Sequence, residues 1–197
     1  MTYNEVKEAI ESMERGSIFF PDDFGDDSAA SRVRMSLSRL CKSGIIQRVA
    51  QGVYYYPRFD IKWGLGVLHP DIDDIARAVA ARDHVRILPT GAYALNLLGL
   101  STQMPTNVVY ISDGSQRRLK LNNGRSILFK HTSEMKMFAY RSSLMQLIVS
   151  ALREIGEGNV KEEQLAIVKE HLQHVGKANL ENDLQLAPAW VRKILKQ

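Results

Sequence analysis

A chain of 197 residues with 45% hydrophobic, 24% charged and 8% aromatic positions has a globular composition, which excludes disordered and collagen-like chains. The 26 Lys and Arg exceed the 22 Asp and Glu, for a net charge of +4 and a pI of about 9.2, which leans toward a polyanionic partner. One cysteine, Cys41, allows neither an internal disulfide nor a multi-cysteine zinc site, and no apolar run reaches the roughly 20 residues of a membrane span. The expectation is a soluble, unexported protein of the reducing cytoplasm with no membrane partner, because Met1–Glu5 shows no basic segment leading into an apolar one.

Thr2 with Glu5 three positions on is a capping box, and Val6, Ala9, Ile10 and Met13 follow at helical spacing up to Gly16. Ser17–Phe20 is a short apolar stretch closed by Pro21, and 21–24 suits a single helical turn. Ser28 opens a second helix in which Ala30, Val33, Leu37 and Leu40 share one face, and Gly44 ends it. Ile45–Val49 and Val53–Tyr56, rich in β-branched and aromatic residues around Ala50-Gln51-Gly52, predict a β-hairpin.

Charge is unevenly spread over these elements. From Ser28 to Arg58 there are six basic residues, Arg32, Arg34, Arg39, Lys42, Arg48 and Arg58, and no acid, whereas the acids precede this window. Helix, turn, helix and hairpin in that order is the pattern of a winged helix-turn-helix, whose last helix before the hairpin is presented to DNA. With the apolar face inward, Ser31, Arg32, Met35, Ser38, Arg39 and Lys42 point outward, Arg34 lies near the flank, and Arg48 and Gln51 sit near the hairpin tip. Arginine can fork onto guanine while serine and lysine hold phosphates, so Ser31, Arg32, Arg34, Ser38, Arg39, Lys42, Arg48 and Gln51 are the candidate DNA-binding residues. A solvated basic face is the bland alternative, and it does not account for cations filling both helix and hairpin.

Gly64, Gly66 and Pro70 mark a boundary between about 58 and 70, giving a domain of 1–60 and a second of 61–197. Beyond it, Asp71, Asp73 and Asp74 open a helix with Ile72, Ile75 and Val79 inside. A strand is expected over 84–88, a mostly apolar helix over 90–98 and another strand over 107–112. Residues 117–121 and 125–130 flank Asn122-Asn123-Gly124 as a basic hairpin, read here as a solvated edge guarded by charge rather than an extension of the DNA track. Leu144, Ile148, Ala151 and Ile155 mark one helix, and Leu165, Val168, Leu172 and Val175 another, capped by Asn159 and Glu162 and closed by Gly176. Pro188 begins a last short one with Trp190 and Ile194. The fold class is α+β, an N-terminal winged helix-turn-helix followed by a mixed α+β domain that ends in a helical segment.

The chain has no phosphate-cradling loop, nucleophile elbow or dinucleotide fingerprint. His171 and His174 lack a carboxylate at a ligand spacing, Asp113 reads as a turn residue, and Cys41 as a packing residue. The expectation is no catalytic residues, no metal and no cofactor. In Thr90–Gln103 the polar groups Tyr93, Asn96, Thr102 and Gln103 interrupt a core-like run, which suits either a buried helix with satisfied polar groups or a contact surface.

Ser36–Leu40, Gly44–Arg48 and Gly52–Pro57 resemble the winged-helix start of AbiEi-type antitoxins of type IV toxin-antitoxin systems. The block from Pro89 to Gln103, continuing through 109–115 to 125–130, is similar to the same family, and the likeness is clearest from about Val6 to Ala151. The resemblance implies a prokaryotic antitoxin that binds double-stranded promoter DNA and represses its own operon. Its second domain would oppose a nucleotidyltransferase-like toxin, with no stable complex between the two. By position, Ser31, Arg32, Ser38, Arg39 and Lys42 would fall on the recognition helix and Arg48 on the wing. A dimer on inverted-repeat DNA is compatible with this reading, although no heptad specifies one. Two alternatives stay open, a nucleic-acid-processing enzyme targeted by a winged helix and a winged helix used for protein assembly.

Overall fold

The computed structural model describes residues 1–25, 30–60, 64 and 66–196. The predicted helix start at Ser28 lies outside the described residues. The chain is mixed α+β with a helical C-terminus, and none of its helices is long and apolar enough to cross a membrane among the described residues. By their contacts the residues group into two units, Met1–Arg82 with Leu119–Arg125, and Asp83–Arg118 with the chain from Ser126 on.

In the first unit, helix α1 (Tyr3–Glu11) begins at the capping box read from the sequence, with Thr2 N donating to Glu5 Oε2 at 2.9 Å and Glu5 N to Thr2 Oγ1 at 3.4 Å. Strand β1 (Ile18–Phe19), a 3-10 turn over Pro21–Phe24 and helix α2 (Ala30–Lys42) follow. Strands β2 (Gln47–Ala50) and β3 (Val53–Tyr55) make the predicted hairpin, and β1 pairs antiparallel with β3, for a sheet order β1-β3-β2. Gly52, at φ 71°, takes the left-handed conformation that this turn requires.

Val6 and Ile10 of α1, Phe19, Phe24, Val33, Leu37 and Leu40 of α2, Ile46, Tyr54 and Tyr56 form one buried cluster. Phe19 lies edge-on to Phe24 at 5.6 Å and stacked with Tyr54 at 6.0 Å, so the aromatic residues of β1 and β3 floor the helix pair.

The expected boundary at 58–70 is itself structured. Strands β4 (Arg58–Asp60) and β5 (Gly66–Leu68) pair antiparallel, with Phe59 opposite Val67. Three residues per strand are too few to show a period, which is why the sequence reads as punctuation there. Helix α3 (Ile72–Arg82) buries Ile72, Ile75, Ala76, Val79 and Ala80, and its Arg82 guanidinium stacks over Phe20 at 4.5 Å.

In the second unit a four-stranded sheet has the order β6-β7-β9-β8, from β6 (Ile87–Thr90), β7 (Asn107–Ser112), β8 (Arg117–Lys120) and β9 (Ser126–His131). The first strand lies three residues later than the 84–88 expected; ahead of it His84 adopts a positive φ of 54° and Arg86 N donates to Asp113 Oδ1. Pro89 is tolerated because β6 is an edge strand. Strands β7 and β9 are parallel, with Tyr110 opposite Phe129 and their rings stacked at 6.1 Å. Helix α4 (Gly91–Leu97) adds Tyr93 to that pair, 5.8 Å from Tyr110. Tyr93 is thus a core residue and Asn96 Nδ2 donates to Ser101 O at 3.2 Å, whereas Thr102 and Gln103 are exposed.

Helix α5 (Ser143–Ile155) is buried along much of its circumference and packs with α6 (Glu162–Leu172), α7 (Lys177–Leu186) and α8 (Ala189–Leu195). Two sequence expectations change here. Lys161 is the N-cap of α6, where Lys161 N donates to Gln164 Oε1 at 3.1 Å, while Asn159 donates back to Ile155 O and closes α5. Helix α7 was not anticipated, because only Leu180 and Leu184 mark its inner face and its buried anchor is an acid.

That acid is Asp183, fully buried, whose two carboxylate oxygens accept from Arg141 N and Ser142 N, both at 2.8 Å. Ser142 Oγ in turn accepts from Met145 N, so α7 fixes the entry to α5. Replacing Asp183 by Ala strands two backbone donors and should lower stability by about 2–4 kcal/mol, read as a reduced urea midpoint in circular dichroism. Asp183→Asn, which keeps one acceptor, should recover part of that loss; midpoints equal to the parent would remove the role.

Candidate nucleic-acid interface

Helix α2 carries its chemistry on the face that its packing leaves over. Val33, Ser36, Leu37 and Leu40 are buried, and the intervening Ser31, Arg32, Arg34, Ser38, Arg39 and Lys42 are all exposed. Arg34, expected near the flank, is exposed with the rest. Met35 stands among them at 55% exposure, with Arg39 Nη2 3.7 Å from its sulfur. On the hairpin, Arg48 and Gln51 are exposed, between buried Ile46 and Val53.

One arginine of α2 and one of the hairpin both act on Tyr54. Its phenol is pushed above the ordinary tyrosine range chiefly by burial, and the charges of both Arg48 and Arg34 act on it in the opposite direction. Arg48 acts in the same sense on the Cys41 thiol, which burial raises. Cys41 is therefore held as a thiol at the back of α2, consistent with a packing role. Guanidiniums from helix and hairpin lie within electrostatic reach of a single side chain.

Several basic residues elsewhere are engaged within the fold. Lys7 pairs with Glu11 at 3.6 Å, Arg77 with Asp73 at 2.5 Å, Arg86 with Asp113 at 2.8 Å and Arg153 with Glu134 at 3.0 Å, and Arg117 pairs with Asp83. Arg58, the sixth cation of the acid-free window, donates through Nε to Arg15 O at 2.8 Å, while Arg15 donates to Pro57 O and stacks on Tyr56 and Phe59. Arg32, Arg34, Arg39, Lys42 and Arg48 form no ion pair among the described residues.

The basic turn expected as a solvated edge has a partner in this region. The turn 119–125 belongs to the first unit and lies against β2. Leu121 bridges Ala50 in antiparallel fashion, Asn122 N donates to Val49 O at 2.9 Å, and Asn122 Nδ2 donates to Arg48 O. A recess of about 480 Å³ is lined by Cys41, Arg48, His69, Asn122 and Asn123 among others. Asn122-Asn123-Gly124 signalled a turn, but nothing in a sequence says which strand such a turn will meet.

The remaining chemical candidates are committed to structure. His171 Nε2 lies 3.0 Å from Leu98 O, and no group of three metal-ligating side chains occurs among the described residues. Asp113 is held below the usual carboxylate range, first by the hydrogen bond from the Arg86 side chain. Glu134 lines a recess with Arg153 and Glu154 to which Asp113 does not contribute.

A search of the curated proteins finds no match. The sequence pattern of DUF6088, a family of unknown function, matches residues 5–180, and the chain belongs to that family.

Proposed function

We propose that residues 1–60 form a winged helix-turn-helix that binds duplex DNA, and that the chain is a cytoplasmic DNA-binding antitoxin that represses its own type IV toxin-antitoxin operon. The observation that carries the DNA-binding reading is the set of five exposed cations on α2 and β2, without an ion pair among the described residues, whereas Arg58, Arg77, Arg86 and Arg153 are engaged within the fold. The element order from α1 to β3, with β1 paired onto the hairpin, supports the winged-helix assignment. The antitoxin part rests on the resemblance over about Val6–Ala151, with a nucleotidyltransferase-like toxin opposed without a stable complex.

On this reading α2 enters the major groove. Arg39 and Arg32 reach base edges as two-pronged donors, Met35 can meet a thymine methyl, and Ser31, Arg34, Ser38 and Lys42 hold phosphates. Arg48 and Gln51 of the hairpin reach the backbone or the minor groove alongside. The role is not catalytic, a reading supported by the pairing of Asp113 and Glu134 with separate arginines.

Neutralising about five phosphates should give a log-log dependence of affinity on salt with a slope near −4 to −5, measured by anisotropy on a duplex from the chain's own promoter. No binding at low salt, or binding indifferent to salt, defeats the proposal and moves the winged helix toward protein assembly. Arg39→Ala should cut discrimination between cognate and random duplexes by roughly 10-fold or more, while Lys42→Ala should weaken both alike; equal losses would cancel the division of roles. A promoter–reporter fusion should be repressed by the intact chain and released by Arg39→Ala. Undiminished expression with the intact chain would separate DNA binding from autorepression.

A further inference from the structure

Residues 119–125 take in the end of β8 and the turn that leads to β9, yet by their contacts they belong with the first unit. Their backbone occupies the open edge of β2. In an antiparallel pairing the neighbours of the Ala50–Leu121 bridge are Val49 with Asn122 on one side and Gln51 with Lys120 on the other, and the Asn122 N to Val49 O bond agrees with that register. Leu121 is buried and Asn122 is bonded to the hairpin, so Lys120 is the residue immediately before an anchored pair.

Lys120 is exposed and forms no ion pair among the described residues. Asn123 is exposed, and its Oδ1 accepts from Arg125 N at 3.1 Å, which leaves the Nδ2 group to donate outward. The backbone carbonyl of Arg48 is held by Asn122, so the hairpin cation and the turn are joined by a hydrogen bond. A solvated edge guarded by charge, the expectation from sequence, would present its lysine away from pairing strands. Here the turn is instead docked by its apolar residue on the element proposed to meet DNA.

We infer that residues 119–125 are a second finger of the DNA-binding surface, with Lys120 neutralising a backbone phosphate and Asn123 Nδ2 donating to a neighbouring phosphate oxygen, beyond the contacts of Arg48 and Gln51. This rests on the DNA-binding reading and adds a contact drawn from outside the N-terminal segment. The chemistry calls for duplex backbone rather than base edges, since a point charge and a single amide group grip phosphate without reading sequence.

The experiment is an anisotropy titration of the full-length chain on a promoter duplex and a random duplex, over a range of salt. Lys120→Ala should weaken binding to both roughly 3- to 10-fold at low salt and reduce the magnitude of the log-log slope by about 0.9. Lys136→Ala, which removes an exposed cation from the 3-10 turn over Met135–Phe138, serves as the control for net charge and should leave the slope at its parent value. Asn123→Ala should weaken binding with the slope unchanged. A parent chain that fails to bind overturns both the proposed function and this extension. A parent that binds, with Lys120→Ala matching either the parent or Lys136→Ala, overturns the extension alone.

Discussion

The burial of Val33, Leu37 and Leu40 against α1 and the aromatic floor of β1 and β3 is the constraint from which the rest of the first unit follows. Each such side chain contributes about 1.5–3 kcal/mol when fully removed from water, so the stripe fixes the rotation of α2 about its own axis. With 3.6 residues per turn, a helix that turns those positions inward has no choice about where its arginines go. Their exposure is a consequence of apolar packing and costs no separate interaction. The surface proposed to meet DNA is therefore as rigid as the core beneath it.

Arginine does two kinds of work in this chain. Arg15, Arg58, Arg82, Arg86 and Arg117 are spent on carbonyls, carboxylates and aromatic faces, and they hold loops to cores. Arg15 shows the type, its guanidinium lying between Tyr56 and Phe59 at 4.6 and 4.9 Å while it donates to Pro57 O. Those of α2 and β2 form no ion pair among the described residues. Counting basic residues along the sequence merges the two kinds, and Arg58 falls in the acid-free window although it serves the fold.

The second unit is organised around a different kind of core. Tyr93, Tyr110 and Phe129 form a continuous aromatic cluster from α4 through β7 to β9, and burial, opposed by Arg153, pushes the Tyr140 phenol up to about 12. Asp183 holds the start of α5 by satisfying two backbone donors that no water-exposed turn would need filled. Within 90–103, Asn96 belongs to this internal economy of hydrogen bonds, turned back on Ser101. The family's sequence pattern covers residues 5–180, and so includes residues of both units.

Local periodicity and capping were enough to determine α1, α2, the β2–β3 hairpin, β7 and α5, because each repeats its pattern over several residues or carries a cap within reach of its own backbone. The six candidates on α2 were legible as an outward face for the same reason, since inside and outside alternate at a fixed helical angle. Short or polar elements were not: β4 and β5 are too brief to show a period, and α7 is anchored by an aspartate whose partners lie 41 and 42 positions away. The docking of Asn122 on Arg48, 74 positions apart, could come only from the tertiary structure, because a turn motif encodes its own bend and carries no record of the strand it will cover.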